Sequence, residues 1–183
     1  MVIIFSDDEL HIVPRGDYEV EQSHSIDLSR RLYAIKWVPK QDTCHLKGAV
    51  VAELSERTLN RANLAITGQL LGLSQRMLDA SIDYTTNRKQ FGKPIGSFQA
   101  VKHHLADVAI QLEFAKPVYT RAAYSFANQQ PLSTVNISHA KLAAAKTAWL
   151  SAKQAIQVHG AMGYTWEVDL QMFMKRAWAL DAA

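Results

Sequence analysis

Tyr84-Thr85-Thr86-Asn87-Arg88-Lys89-Gln90-Phe91-Gly92-Lys93-Pro94 lies between two long helical patterns, one running into it and one leaving it. It sets two cations beside an aromatic ring and a glycine turn. Arginine stays charged and offers a planar fork of donors, so Arg88 with Lys89 at a helix end can engage a phosphate or a carboxylate. The same pair also suits a basic helix terminus that only complements the helix dipole. The flanking chain decides between these readings.

Upstream, Leu59, Ala62, Ile66, Leu70, Leu73, Met77, Ala80 and Tyr84 recur at spacings of three and four, the apolar face of a helix. The spacing predicts a helix over about residues 55 to 88, with Ser55 as N-cap and Glu56 in the first turn. At about 1.5 Å per residue it is roughly 50 Å long. Gly68 and Gly72, four apart, mark close helix packing.

Downstream, Phe91 to Gly96 breaks the pattern and Ser97 is placed to cap the next helix. Val101, Leu105, Val108, Leu112, Ala115, Tyr119 and Phe126 repeat the helical spacing, with Pro117 expected to kink the run. Gln129-Gln130-Pro131 ends it. A third pattern runs from Ser133, alanine-rich through Ala143-Ala144-Ala145, to His159, where Gly160 supplies a stop. A shorter helix is expected from Val168 to about Leu180. Four such helices with short connections describe an antiparallel bundle.

Residues 1 to about 40 read differently. Val2 to Phe5, Leu10 to Val13, Tyr18 to Glu21 and Leu32 to Val38 are short β-branched and aromatic runs closed by turn residues. Three or four strands make a small sheet with open edges, which reads as part of a larger one. The expected fold is therefore mainly α: an antiparallel four-helix bundle over 49-183, preceded by a partial antiparallel sheet over 1-48.

The chain has 183 residues and is 48% hydrophobic, enough to bury a core. No apolar run reaches the roughly 18 residues that cross a bilayer, and the first residues meet Asp7-Asp8-Glu9 without a basic leader. The one cysteine, Cys44, has no partner for an internal disulfide, so a reducing, cytoplasmic setting is expected. Residues 1 to 50 carry six Lys/Arg against eight Asp/Glu, and the rest carry fourteen against nine. The helical part is the basic part. Its cations are spread along helices without interleaved aromatics, so a phosphorylated small molecule is a better counterpart than nucleic acid.

No helical pattern carries the Glu-x-x-His pair of a carboxylate-bridged metal bundle, the one such spacing, Glu21 to His24, lying among the strand runs; a G-x-S-x-G elbow, a Walker A loop and G-x-G-x-x-G are absent. His103, His104 and His139 lie in helical runs without clustered ligands. Three segments remain: Asn87-Arg88-Lys89-Gln90-Phe91-Gly92, Ser97-Phe98-Gln99-Ala100, and Gln157-Val158-His159-Gly160-Ala161-Met162-Gly163-Tyr164. In this order and spacing they resemble the C-terminal helical domain of the acyl-CoA dehydrogenases. Residues 26 to 38 look like a late strand region of that family's middle β-domain, and Lys175-Arg176-Ala177 also fits.

The resemblance implies FAD, shared between subunits, with the adenosine and pyrophosphate end reached by a neighbouring subunit. By position it assigns Arg88, Lys89, Gln90, Phe91, Gln99, Gln157, Gly160 and Ala161 to that contact. Ala161 stands where glycine is common. The family's catalytic Glu maps either at or just after Ala183 or near Ala62, which is not an acid, while Glu56 falls about a turn and a half too early. Asn63 replaces the basic residue common beside the second position.

The resemblance thus implies a truncated or split member acting on acyl-CoA in an assembled enzyme, not competent by itself, in a homo-oligomer or with a longer acyl-CoA dehydrogenase subunit. A membrane or nucleic-acid partner is not expected. The competing expectation is a degenerate bundle kept as an assembly module, with neither flavin nor substrate. A fragment of a larger gene with no role of its own is a third.

Overall fold

The computed structural model describes residues 1–183, which divide into two compact units, Met1–Ala62 and Asn63–Ala183. In the first, β1 (Val2–Ser6), β2 (Glu9–Val13) and β5 (Cys44–Lys47) form an antiparallel sheet in the order β1-β2-β5. A separate antiparallel hairpin pairs β3 (Tyr18–Ser23) with β4 (Leu32–Trp37). The strand expectations hold to within two residues at their ends. Cys44–Lys47 is an additional strand that sequence reading did not find. It is short and half polar, and its pairing to β2 supplies the register that makes it a strand.

Strand periodicity puts Val13 and His11 on the buried face of β2, where both are inaccessible to solvent. Trp37 meets the His11 ring edge-on at 4.7 Å. At the rim, Lys47 Nζ lies 2.6 Å from Glu9 Oε1, and this bond holds the Glu9 carboxyl below its ordinary range.

Helix α1 spans Ala49–Asn87, α2 Gln99–Ala127, α3 Ser133–His159 and α4 Leu170–Asp181. The antiparallel four-helix reading stands, with α3 bounded as its sequence predicts. Helix α1 corrects the expected start. It begins at Ala49, directly after Gly48 with φ 79°, so Ser55 lies inside the helix and caps nothing. Val51, 1% exposed, anchors the added turns.

Helix α2 runs through Pro117 as one element. Pro117 is exposed, and so is Glu113, whose carbonyl loses its helical partner to the proline. Ser97 caps nothing either: its hydroxyl donates to the Pro94 carbonyl at 2.7 Å, and Phe98 occupies the N-cap position without a side-chain cap.

The bundle core gathers Leu70, Met77, Val108, Leu112, Ala144, Ala148, Ala152, Leu170 and Met174. Alanines on the buried face of α3 take little volume and let larger side chains of the other helices fill the space between. Gly68 is a true close-packing position, since a Cβ there would meet Tyr119 Oη at 2.9 Å, whereas Gly72 faces open space. Thr67, Ser74, Ser81 and Thr85 are buried along α1, and each hydroxyl donates to the carbonyl four residues earlier at 2.7 to 2.8 Å. Polar residues on the inner face are thereby satisfied within their own helix.

Candidate cofactor site

Helix α1 ends where the side chains of Asn87 and Thr86 turn back onto Asp83 and Ile82. The chain then folds into a hairpin of β6 (Lys89–Gln90) and β7 (Lys93–Pro94), with Gln90 opposite Lys93. Only Phe91 and Gly92 fill the loop, at φ 52° and 77°. A two-residue loop with both φ values positive is the type I′ form, whose twist matches that of the strands it joins. Glycine takes this conformation freely; phenylalanine does so at a cost of about 1–2 kcal/mol. The Phe91 ring nevertheless stands 90% exposed at the tip.

Two further contacts fix the hairpin to the bundle. Ile95 donates its amide to the Arg88 carbonyl at 2.8 Å. Gly96 passes so near α1 that a Cβ would lie 3.0 Å from the Thr85 carbonyl oxygen. Phe98, at the head of α2, receives Lys93 Nζ over its ring at 4.5 Å and the Phe91 ring edge-on at 6.1 Å.

The end of α3 meets the end of α1 through a stacked pair. The Tyr84 and His159 rings lie 4.2 Å apart and 21° from parallel, and Tyr84 Oη is 3.4 Å from the His159 carbonyl. His159 is buried, and its Nδ1 donates to the Ala155 carbonyl at 2.7 Å. A carbonyl only accepts, so the neutral ring carries its proton on Nδ1. Burial pushes the His159 pKa down, with the Ala155 bond partly offsetting it. Gly160 then leaves the helix at φ 61°, ψ −139°, a conformation suited to glycine. Gly163 packs under the turn, where a Cβ would be 3.2 Å from Ile156 Cα.

These three pieces enclose an open cavity of about 530 Å³. Arg88, Gln90 and Phe91 line it from the hairpin, Phe98 and His104 from the head of α2, and Gln157, Gly160 and Ala161 from the end of α3. Six of the eight sequence-assigned residues thus converge on one space. Lys89 and Gln99 do not line it and are exposed. Tyr84, which the spacing places on the apolar helix face, and His159, the last residue of the third helical pattern, also form part of the wall. His104 joins the wall because the head of α2 faces the end of α3.

No carboxylate lines this cavity. Arg88 carries its only fixed charge, and no acid of the chain lies within ion-pair distance of it. A second cavity, about 630 Å³, shares Tyr84, Arg88 and His159 but is bordered by Asp79, Asp83, Glu167 and Asp169. Four carboxylates repel a phosphate, so the first cavity is the one suited to an anionic ligand. Its chemistry is one unpaired cation, neutral amides at Gln90 and Gln157, and aromatic rings. Ala62 and Ala183, where the resemblance points for a base, are exposed and carry no acid.

Comparison with known proteins gives a consistent result. A family model described as acyl-CoA dehydrogenase, C-terminal domain, matches residues 52–182. A probable acyl-CoA dehydrogenase of Bacillus subtilis is 38% identical over 120 residues, covering 66% of this chain and 31% of that protein. The acyl-CoA dehydrogenase IpdE2 of Mycolicibacterium smegmatis is 30% identical over 161 residues, covering 87% of this chain and 47% of that protein. Among solved structures, the glutaryl-coenzyme A dehydrogenase complex with glutaryl-CoA superposes with a TM-score of 0.82 at 25% identity, over 94% of this chain and 45% of that one. Butyryl-CoA dehydrogenase of Megasphaera elsdenii gives a TM-score of 0.84 at 24% identity, over 94% and 46%, a likeness of fold. The chain spans about a third to a half of the length of the relatives it matches.

Proposed function

Since the chain belongs to the acyl-CoA dehydrogenase family, whose enzymes are FAD-dependent oxidoreductases, we propose that it contributes the inter-subunit half of an FAD site. The observation that carries this reading is the acid-free cavity in which Arg88, Gln90, Phe91, Gln157, Gly160 and Ala161 converge. Arg88 is placed to engage the pyrophosphate through charge-assisted hydrogen bonds. Gln90 and Gln157 offer neutral donors and acceptors to the adenosine end, while Gly160 and Ala161 keep the wall low enough for close approach. Lys89 and Gln99, outside the lining, add charge and polarity at the rim.

When bound, FAD supplies the hydride acceptor for α,β-oxidation of an acyl-CoA thioester. That reaction, part of fatty-acid or related acyl catabolism, is proposed for the assembled enzyme and not for these residues alone. The cavity wall presents no carboxylate to take the α-proton, and the position near Ala62 has none either. Assembly is supported by α3, where Val135, Leu142 and Trp149 recur every seventh residue and stand 62%, 72% and 49% exposed. The partner is a second copy or a longer acyl-CoA dehydrogenase subunit. No helix is long and apolar enough to cross a membrane. The single cysteine supports a cytoplasmic setting.

The test is FAD affinity of the assembled protein, followed by flavin fluorescence, with and without Arg88→Ala. A hydrogen bond to a charged group contributes about 1.5–3 kcal/mol, so the variant is expected to bind roughly 10- to 150-fold more weakly. Unchanged affinity, or no flavin binding in either assembly, would favour the assembly module instead.

A further inference from the structure

The unit Met1–Ala62 holds a cluster of its own. Glu9 and His11 are two apart on β2 and so share a face, and Cys44 on β5 stands opposite His11 in the register. One ligand atom from each, a carboxylate oxygen, an imidazole nitrogen and the sulfur, all lie within 4.8 Å of one another.

The hydrogen bonds around His11 hold both ring nitrogens in place. The Thr43 oxygen lies 2.9 Å from the Lys40 carbonyl and 3.1 Å from His11 Nδ1, so its hydroxyl can serve either tautomer of the ring. When it donates to Nδ1, Nε2–H donates to Glu9 Oε2 at 2.9 Å. When it donates to Lys40, its oxygen accepts from Nδ1–H, and the Nε2 lone pair then faces the Glu9 carboxylate, the arrangement in which a metal ion is bound by both.

We propose that Glu9, His11 and Cys44 bind one divalent transition-metal ion of the zinc class. A thiolate, an imidazole and a carboxylate together suit such a borderline-soft ion, and a hard ion such as calcium or magnesium is excluded by the sulfur and nitrogen donors. Bond lengths of about 2.0–2.3 Å set the donors of a tetrahedral ion roughly 3.3–3.6 Å apart, so capture requires side-chain shifts of about 1 Å.

The surroundings are those of a metal ligand set. His11 is inaccessible, its far nitrogen is oriented by Thr43, and Trp37 covers its ring. Lys47 binds Oε1 of Glu9, leaving Oε2 available. Glu9 and Cys44 are only half-buried, so the fourth position opens to water. On binding, the Cys44 thiol loses its proton to solvent and the sulfur–metal bond replaces it.

The experiment uses the full chain without an affinity tag, stripped with a chelator and titrated with Co(II) alone, then with Zn(II) in competition. The site predicts one equivalent bound at micromolar metal and a thiolate-to-cobalt charge-transfer band that zinc abolishes. Cys44→Ser removes the band, and Glu9→Gln weakens binding by at least about tenfold, the smallest loss typical even of residues that only support a ligand. Absence of the band in the unaltered chain, or equal cobalt affinity in Cys44→Ser, overturns the proposal and leaves a proton-bridged Glu9–His11 pair.

Discussion

Replacing Phe91 by asparagine sets stability against function at a single position. Phe91 occupies the first loop position of the type I′ hairpin at φ 52°, and Gly92 occupies the second at φ 77°. An L-residue in this region costs about 1–2 kcal/mol, and asparagine pays less because its short amide bonds to the local backbone. Asn-Gly is the favoured pair for such a loop. Against this gain stands the edge-on contact with Phe98, whose ring centroid is 6.1 Å away. Aromatic pairs contribute about 0.5–1.5 kcal/mol, and a ring 90% exposed belongs at the low end. Phe91→Asn is therefore expected to stabilise the chain by about 0.5–1 kcal/mol, or roughly 1–4 °C in Tm for a chain of this size. Urea unfolding with an unchanged m value measures it. The same substitution is expected to weaken FAD retention in the assembled protein, because the ring lines the cavity. A destabilised variant would refute the strained-loop account. A stabilised variant with undiminished flavin would show that the strain does not serve the cofactor.

Arg88→Ala is expected to leave urea stability within about 0.5 kcal/mol, since Arg88 is exposed and unpaired, so its flavin effect is not one of folding. Gly163→Ala places a methyl 3.2 Å from Ile156 Cα and 3.3 Å from its carbonyl oxygen, and a loss of about 1–3 kcal/mol in urea unfolding is expected. For His159, burial lowers the folded pKa below the ordinary 6.5, so the unfolded chain takes up a proton first as the pH falls. Its contribution to stability is full above about pH 6.5 and is lost as the pH drops toward the folded value. Unfolding at pH 7.5 and pH 5.5 should show a smaller acid loss in His159→Phe than in the unaltered chain.

What was legible in the sequence depended on how far each feature is determined locally. Helix α3 could be bounded to the residue because Gln129-Gln130-Pro131 precedes it and Gly160 follows it, both of them backbone signals. The start of α1 could not. The apolar spacing begins only at Leu59, and Val50-Val51 are β-branched, so no local signal marks the first turns as helical. The strand Cys44–Lys47 was equally invisible, since its pairing to β2 lies more than thirty residues back along the chain. Arg88, Gln90, Phe91, Gln157, Gly160 and Ala161 are named by the order of the segments that carry the resemblance, and they line one cavity. Their convergence depends on the Tyr84–His159 stack that ties α1 to α3, which no spacing rule reveals. Gly68 and Gly72 make the same point: four apart in one helical pattern, only Gly68 packs against a neighbouring helix.

The central claim, that Arg88 serves an FAD held in part by another subunit, is tested most directly by a structure of the FAD-loaded assembly. The account predicts the Arg88 guanidinium within about 3 Å of a pyrophosphate oxygen, with Gln157 at the adenosine end and the flavin ring carried by a neighbouring subunit. An FAD enclosed wholly within one subunit, or an Arg88 turned away from it into solvent, would contradict it.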